Sequence, residues 1–311
     1  MQRRMLGRTG LEVTAMGLGC GGHSRLGMAK GRDQANAVAV IRRALDLGLN
    51  LIDTAANYRT EPYVGEAIRG RRDELVLATK LSPRRERLDD PERVIEVLEQ
   101  SLRDLGTDVI DIYQVHGATP DIYDEVVDRL YPVLVRLRDQ GKIRFIGITE
   151  MFGRDTDHKM LERAVADDLW DTIMVGFNLM NPSARRRILR LTQEKGIGVF
   201  CMFAIRHALT DPQLAKELVL SLIEQGHLDG DGIDRADPLG FLVADGVAGS
   251  IAEAGYRFCL HEPGLDCILS GTGNPTHLAA NHRYLQMPPL PDETRQQLAN
   301  LFGHLDYVSC N

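Results

Sequence analysis

Eight short apolar runs, each followed by a stretch of helical spacing, predict a closed (β/α)8 TIM barrel for this chain of 311 residues. Two further observations agree. Several runs end in an ionisable or polar group, as buried parallel strands do when they deliver side chains to one rim. Glycines close many of the helical stretches and no linker-like segment divides the chain, so residues 1–311 read as one domain.

Taken in order, residues 1–12 carry Gly7 and Gly10 and read as a small hairpin leading into the first strand, 13–19. Gly19, Gly21 and Gly22 let the backbone turn tightly at its end. Residues 33–47 place Ala37, Ile41, Ala44 and Leu45 on one helical face, ending at Gly48. A second strand runs through Leu51 and Ile52 to Asp53, and a third through Val76, Leu77 and Ala78 to Lys80. Between them lies the helix Glu61–Ile68. Asp90-Pro91 opens a helix whose stripe is Val94, Ile95, Val97, Leu98, Leu102 and Leu105, stopped by Gly106. The remaining strands are 109–116, 143–149, 172–178, 197–203 and 265–270. The remaining helices are 123–138, 161–165, 183–195 with Ser183 as N-cap, 212–224, 251–260, one opening at 275–281, and 293–301 as a C-terminal extension. Residues 226–237, rich in Gly and Asp, read as a loop.

A doubly wound sheet is the competing architecture. Gly17-Leu18-Gly19-Cys20-Gly21-Gly22 matches the GxGxxG spacing of a dinucleotide-binding turn. No acidic residue ends a second strand about 20 residues on, as that fold expects. Asp53 lies further away, and the eight-unit count favours the barrel.

Composition narrows the class. The apolar fraction is 43% and the net charge −7, with a pI near 5.7. This speaks for a soluble globular protein and against nucleic acid or an anionic membrane as partner. The run Arg185-Arg186-Arg187 reads as the solvated face of a helix. Five cysteines show no metal-ligand spacing and no CxxC, and no metal site is expected. The apolar stretch of a signal peptide is missing, and no run approaches the roughly 18 residues of a membrane span. These features predict a cytoplasmic protein.

The chemistry is expected at the rim. Asp53, Lys80 and His116 end predicted strands, and Tyr58 follows Asp53 in the loop on the same side. A tyrosine is a weak acid, with an ordinary pKa of about 10. A neighbouring ammonium favours the phenolate and lowers that value. Lys80 can supply the ammonium, Asp53 can hold it charged, and His116 can bind a substrate oxygen. Together they make a proton donor and acceptor for a carbonyl/alcohol pair. Singly, Asp53 and Lys80 also fit a structural ion pair, His116 a buried histidine and Tyr58 a packing residue.

Asn50, Asp53-Thr54-Ala55, Tyr58, Ala78-Thr79-Lys80 and Val115-His116 resemble the motifs of the aldo-keto reductases, over residues 6–281. The resemblance implies a (β/α)8 barrel and reversible hydride transfer between a nicotinamide cofactor and a carbonyl or alcohol. It implies Tyr58 as general acid/base, Lys80 and Asp53 as its tuning pair, and His116 as the substrate-positioning residue. It is closest to bacterial branches acting on aldoses or small aldehydes.

On the cofactor side the resemblance carries departures. Gly21 and Asp53 fall among the positions expected to meet the cofactor. Thr149-Glu150 stands where the family usually has Ser-Asn facing the nicotinamide amide, and Asn178 can fill the polar position after the sixth strand. Met202 takes the place of a stacking tyrosine, and its thioether can cover a ring face. Arg206 is a candidate for the pyrophosphate or a surface arginine. Gly271, Thr272 and Gly273 lead into a helix whose backbone N–H groups suit a phosphate. His277 lies near the usual arginine position and Asn281 matches the family's helix asparagine. The familiar cations for a 2′-phosphate are not evident, so NADP(H) is favoured over NAD(H) on family frequency alone. Loops 20–30, 118–123 and 210–237 are the candidates for shaping the substrate pocket, the last as a lid or a solvated excursion. The alternative function is a cofactor-binding sensor or regulatory subunit on the same barrel.

Overall fold

The computed structural model describes residues 1–22, 24–85 and 90–311. The described residues form ten strands: β1 (Arg3–Met5), β2 (Glu12–Thr14), β3 (Met16–Gly19), β4 (Leu51–Asp53), β5 (Val76–Leu81), β6 (Ile110–Ala118), β7 (Ile143–Glu150), β8 (Thr172–Gly176), β9 (Gly198–Met202) and β10 (Cys267–Ser270), and from β3 onward they alternate with helices. Strands β3 to β10 form a closed barrel in sequence order, with β10 completing the ring between β9 and β3. Every neighbouring pair in it is parallel. The expected (β/α)8 architecture is the one observed, and the doubly wound alternative is excluded by closure.

The chain builds two apolar layers. Leu51, Ile112, Met174, Phe200 and Cys267 fill the barrel interior together with Leu6, Leu11 and Val13 of the hairpin. The larger layer lies between the strands and the surrounding helices. The hairpin β1–β2 thus plugs the end of the barrel where the strands begin. Gly7 makes this plug possible. A Cβ there would fall 2.3 Å from the Gly198 nitrogen, and its φ of +48° lies in the left-handed region.

Val13 belongs to this hairpin, opposite Arg4, not to the first barrel strand as expected. Thr14 gives its amide to the Asn50 side chain and its hydroxyl to the Met16 carbonyl, and the barrel strand starts only at Met16. The expected helix 183–195 also begins differently. Ser183 does not cap it, because its hydroxyl is engaged by Asn181 and His158; a wide π turn over Arg185–Leu189 leads into Arg190–Lys195. The arginine run is not simply solvated. Arg185 pairs with Glu262 and stacks over Phe258 while remaining exposed, Arg187 joins Glu162 and Asp306, and Arg186 is exposed.

The helices Glu61–Ile68, Pro212–Glu224 and Ile251–Leu260 have the expected bounds. Asp33 and Asp90 cap the helices Gln34–Asp46 and Pro91–Leu105 by accepting the amides of Asn36 and Arg93. The C-terminal helix Asp292–Phe302 packs through Leu298 and Phe302. The 226–237 excursion lies beside the C-terminal segment, where the His227 carbonyl accepts from His304 and the rings of His227 and Tyr307 stand 4.5 Å apart.

Candidate active site

Four side chains meet at the end of the barrel where the strands terminate. Asp53 closes β4, Lys80 lies near the end of β5, and His116 lies near the end of β6. Tyr58 ends a single turn, Ala56–Tyr58, which Arg59 closes in the left-handed conformation. The Lys80 amine is fully buried. It donates to Asp53 Oδ2 at 2.6 Å and to the Thr54 carbonyl at 2.7 Å. The same amine lies 5.3 Å from the centre of the Tyr58 ring. The Tyr58 hydroxyl is 3.2 Å from His116 Nε2, and the two rings meet edge to face.

One residue that the sequence did not reveal joins this cluster. Gln114 donates to the other oxygen of Asp53 at 3.2 Å. It lies two residues before His116 on the same strand face, and that spacing was the available signal. Gly21, expected on the cofactor side, lies against Tyr58. A Cβ on Gly21 would sit 2.3 Å from Tyr58 Cε2, so the bare glycine lets the phenol ring lie against the loop after β3.

The electrostatics follow from burial and charge. Burial disfavours the Lys80 ammonium, but Asp53 and Tyr58 outweigh it and its pKa moves up. At Asp53 burial pulls the opposite way, raising the carboxyl's pKa against Lys80 and Gln114. The 2.6 Å contact and the two converging donors decide for a charged pair. Burial also raises Tyr58, and Lys80 only partly offsets it. The expected lowering by Lys80 is therefore present, but the net direction is upward because the phenol is removed from water. Tyr58 holds its proton at neutral pH. His116 is pushed down to about 3 by burial, with the charges of Lys80 and Arg85 adding to the effect, so its imidazole is neutral.

The rim around this cluster is polar and partly unsatisfied. Asn178 uses its carbonyl oxygen to accept from the amides of Met180 and Asn181, while its Nδ2 is buried without a partner. Arg206 stacks on Phe203 with 4.2 Å from guanidinium to ring centre and donates to the Ser309 carbonyl; its Nε has no partner. Thr149 accepts from the Gly117 amide at 2.8 Å. Met202 ends β9 and packs against the barrel interior. Gly271 and Gly273 sit against the loop after β3. A Cβ on Gly273 would fall 2.1 Å from the Gly27 nitrogen, and one on Gly271 3.1 Å from the Gly19 carbonyl oxygen. Thr272 and Asn274 turn the chain into the helix Pro275–Tyr284 by accepting from Asn274 and Thr276 amides.

A model of the Aldo/keto reductase family matches residues 15–301. The chain belongs to the aldo-keto reductase family. Aldo-keto reductase YhdN of Bacillus subtilis (strain 168) is 30% identical over 309 residues, spanning 90% of this chain and 87% of that protein. The holo form of aldo-keto reductase AKR11C1 from Bacillus halodurans shares the fold with a TM-score of 0.76 and 25% identity, over 100% of this chain and 99% of that one. An aldo/keto reductase from Klebsiella pneumoniae in complex with NADP and acetate gives a TM-score of 0.68 and 25% identity, over 97% and 96%.

This aldo-keto reductase departs from the sequence expectation at Glu150. Its carboxylate is turned into the protein. It is fully buried, accepts from the Gly176 amide at 2.7 Å and pairs with His158 Nδ1 at 2.9 Å. His158 in turn meets Ser183 at 3.0 Å. The pKa values of both Glu150 and His158 move up: burial raises the acid, while at His158 Glu150 overcomes burial. That fits a buried pair sharing one proton. Asn281 is likewise turned inward, donating to Ser270 and Tyr256. His277 stands exposed on the helix after the glycine loop. Among the described residues no group of three or more His, Cys, Asp or Glu is placed to hold a metal ion.

Proposed function

We propose that this oxidoreductase transfers hydride reversibly between NADP(H), favoured over NAD(H), and the carbonyl/alcohol pair of an aldehyde, ketone or aldose, with Tyr58 as general acid/base. The observation that carries the reading is the Tyr58 hydroxyl within 3.2 Å of a neutral His116, beside a Lys80 amine held by Asp53. A carbonyl oxygen set between Tyr58 and His116 meets both.

The cofactor fits the residues around this point. The unpartnered Nδ2 of Asn178 suits a carboxamide oxygen. Arg206 suits the pyrophosphate, and the glycine loop 271–273 with Thr272 suits a phosphate. His277 is the candidate for a 2′-phosphate, Thr149 and Met202 for the nicotinamide ring, and Gly21 and Asp53 for the rim beneath it. The Klebsiella structure in complex with NADP supports a nicotinamide cofactor here. When bound, the dinucleotide supplies or accepts the hydride.

The chain's own groups handle the proton. Tyr58 gives its proton to the carbonyl oxygen as negative charge grows there. The Lys80 ammonium stabilises the phenolate left behind, and Asp53 keeps that ammonium charged. His116, uncharged, directs the oxygen without competing for the proton. In the reverse direction Tyr58 phenolate takes the alcohol proton. The complete set of four speaks for an enzyme over a cofactor-sensing subunit. Among the described residues no helix is long and apolar enough to cross a membrane, and we place the protein in the cytoplasm, acting through residues 1–311 as one unit.

The test is Tyr58→Phe. Reduction of an aldehyde panel should fall by about 100- to 10,000-fold, with NADPH affinity by fluorescence titration unchanged. Parental turnover in that variant would refute Tyr58 as the acid.

A further inference from the structure

Residues 308–310 lie across the loops that leave the carboxyl ends of β8 and β9, and Val308 and Cys310 are buried there. Three consecutive backbone carbonyls of this segment each accept from a group in those loops. The Val308 carbonyl takes Asn181 Nδ2 at 3.0 Å, the Ser309 carbonyl takes Arg206 Nη1 at 3.0 Å and the Cys310 carbonyl takes the Ala208 amide at 3.1 Å. The Cys310 thiol donates to Asn178 Oδ1 at 3.5 Å. Cys310 has φ +57°, a conformation that residues with a side chain rarely adopt, and these contacts hold it there.

Two of these partners keep a buried donor unused. Asn178 is fully buried. Its Oδ1 accepts from the amides of Met180 and Asn181 and from the Cys310 thiol, which fixes the side-chain amide one way round and leaves Nδ2 as the free donor. Arg206 is held by the Phe203 ring on its face and by the Ser309 carbonyl at Nη1, which leaves Nε free. A buried donor without an acceptor is costly. Two of them, each steadied by the same segment, mark a place built for a ligand that accepts from both.

Packing alone does not account for this pattern. It requires Val308 and Cys310 to be covered, but not that every carbonyl of the segment meet a side chain or amide of the rim. The link to the loop after β8 is itself pinned, because Asn181 Oδ1 accepts from the Ser183 hydroxyl and amide and so turns Nδ2 toward Val308. Among the described residues Arg206 has no carboxylate within ion-pair distance, and its charge is open to an anion. Asp53, Tyr58, Lys80 and His116 stand on β4, β5 and β6 or the loop after β4, away from the strands that the segment covers.

We propose that Val308, Ser309 and Cys310 are positioning residues for the dinucleotide: through Asn178 they hold a donor toward its carboxamide, and through Arg206 a cation toward its pyrophosphate. This rests on the hydride-transfer reading above and deepens it. The grip on the cofactor depends on a segment 103 residues from Arg206 and 132 from Asn178 in the chain.

The experiment measures the NADPH dissociation constant by fluorescence titration, and the KM of an aldehyde at saturating NADPH, for the parent and for a chain ending after Asp306. With the fold kept by circular dichroism, the shortened chain should bind NADPH about ten-fold more weakly and keep the parental aldehyde KM. Arg206→Gln should weaken NADPH in the parent and add little in the shortened chain, since both changes remove the same grip. Cys310→Ala takes only the thiol contact with Asn178 and decides the question even if the shortened chain does not fold: NADPH should weaken several-fold, and Cys310→Ser, which keeps a donor, should recover most of that. Parental NADPH affinity in Cys310→Ala or in the folded shortened chain overturns the inference and leaves the hydride-transfer reading standing. Full additivity with Arg206→Gln overturns it too, as does a change in aldehyde KM at parental NADPH affinity, which would give the segment to the substrate. A parent that binds neither NADPH nor NADH sinks both readings together.

Discussion

Replacing Lys80 with methionine isolates the charge at the centre of the site. The amine is fully buried and 2.6 Å from Asp53. At an effective dielectric of about 20 the bare attraction at that distance is about 6 kcal/mol. Part of it offsets the desolvation of both ions. Deleting one partner strands the other, which costs about 3–5 kcal/mol. Gln114 would remain as the one side-chain donor on Asp53, so Lys80→Met should lower stability at pH 7 by an amount in that range. The pH dependence has a definite sign. Without Lys80, burial holds the folded-state pKa of Asp53 above its unfolded value of about 3.9. The folded protein then binds more protons than the unfolded chain between the two values, so stability falls as pH rises through that window. The variant should regain stability on acidification toward the unfolded value. Lys80→Met combined with Asp53→Asn removes the stranded charge and should recover most of the loss. The assay is urea unfolding followed by circular dichroism across pH 5–8, on the parent, both single variants and the double variant. A Lys80→Met protein with the parental midpoint and the parental pH profile would refute the charged pair.

Two other outcomes follow from particular contacts. Gly21→Ala puts a methyl 2.3 Å from the Tyr58 ring; with the fold kept by circular dichroism, displacement of the phenol should lower kcat about 100-fold, and parental kinetics would show that the ring position is not critical. Glu150→Gln breaks the buried pair with His158 and should cost about 1–3 kcal/mol of stability, while NADPH affinity holds because Glu150 faces Gly176 and His158; a selective loss of NADPH binding at parental stability would return Glu150 to the cofactor.

The sequence alone determined the barrel and which ionisable side chains gather at one rim of it. Apolar runs of strand length ending in Asp53, Lys80 and His116 can be read without coordinates, because alternation of strand and helix is a local property and the ends of parallel barrel strands share one rim. Other features depended on what each side chain met across the fold. Val13 joined the plug and not the barrel because Thr14 found Asn50. Ser183 gave up its capping role to Asn181 and His158. Glu150 turned away from the rim because a histidine eight residues on, held at φ +63°, lay within 2.9 Å of it. Gln114 became a partner of Asp53. Periodicity assigns a residue to a face. Which partner satisfies a buried polar atom is settled only when strands distant in sequence are brought within hydrogen-bond reach, and that is where the tertiary structure decided.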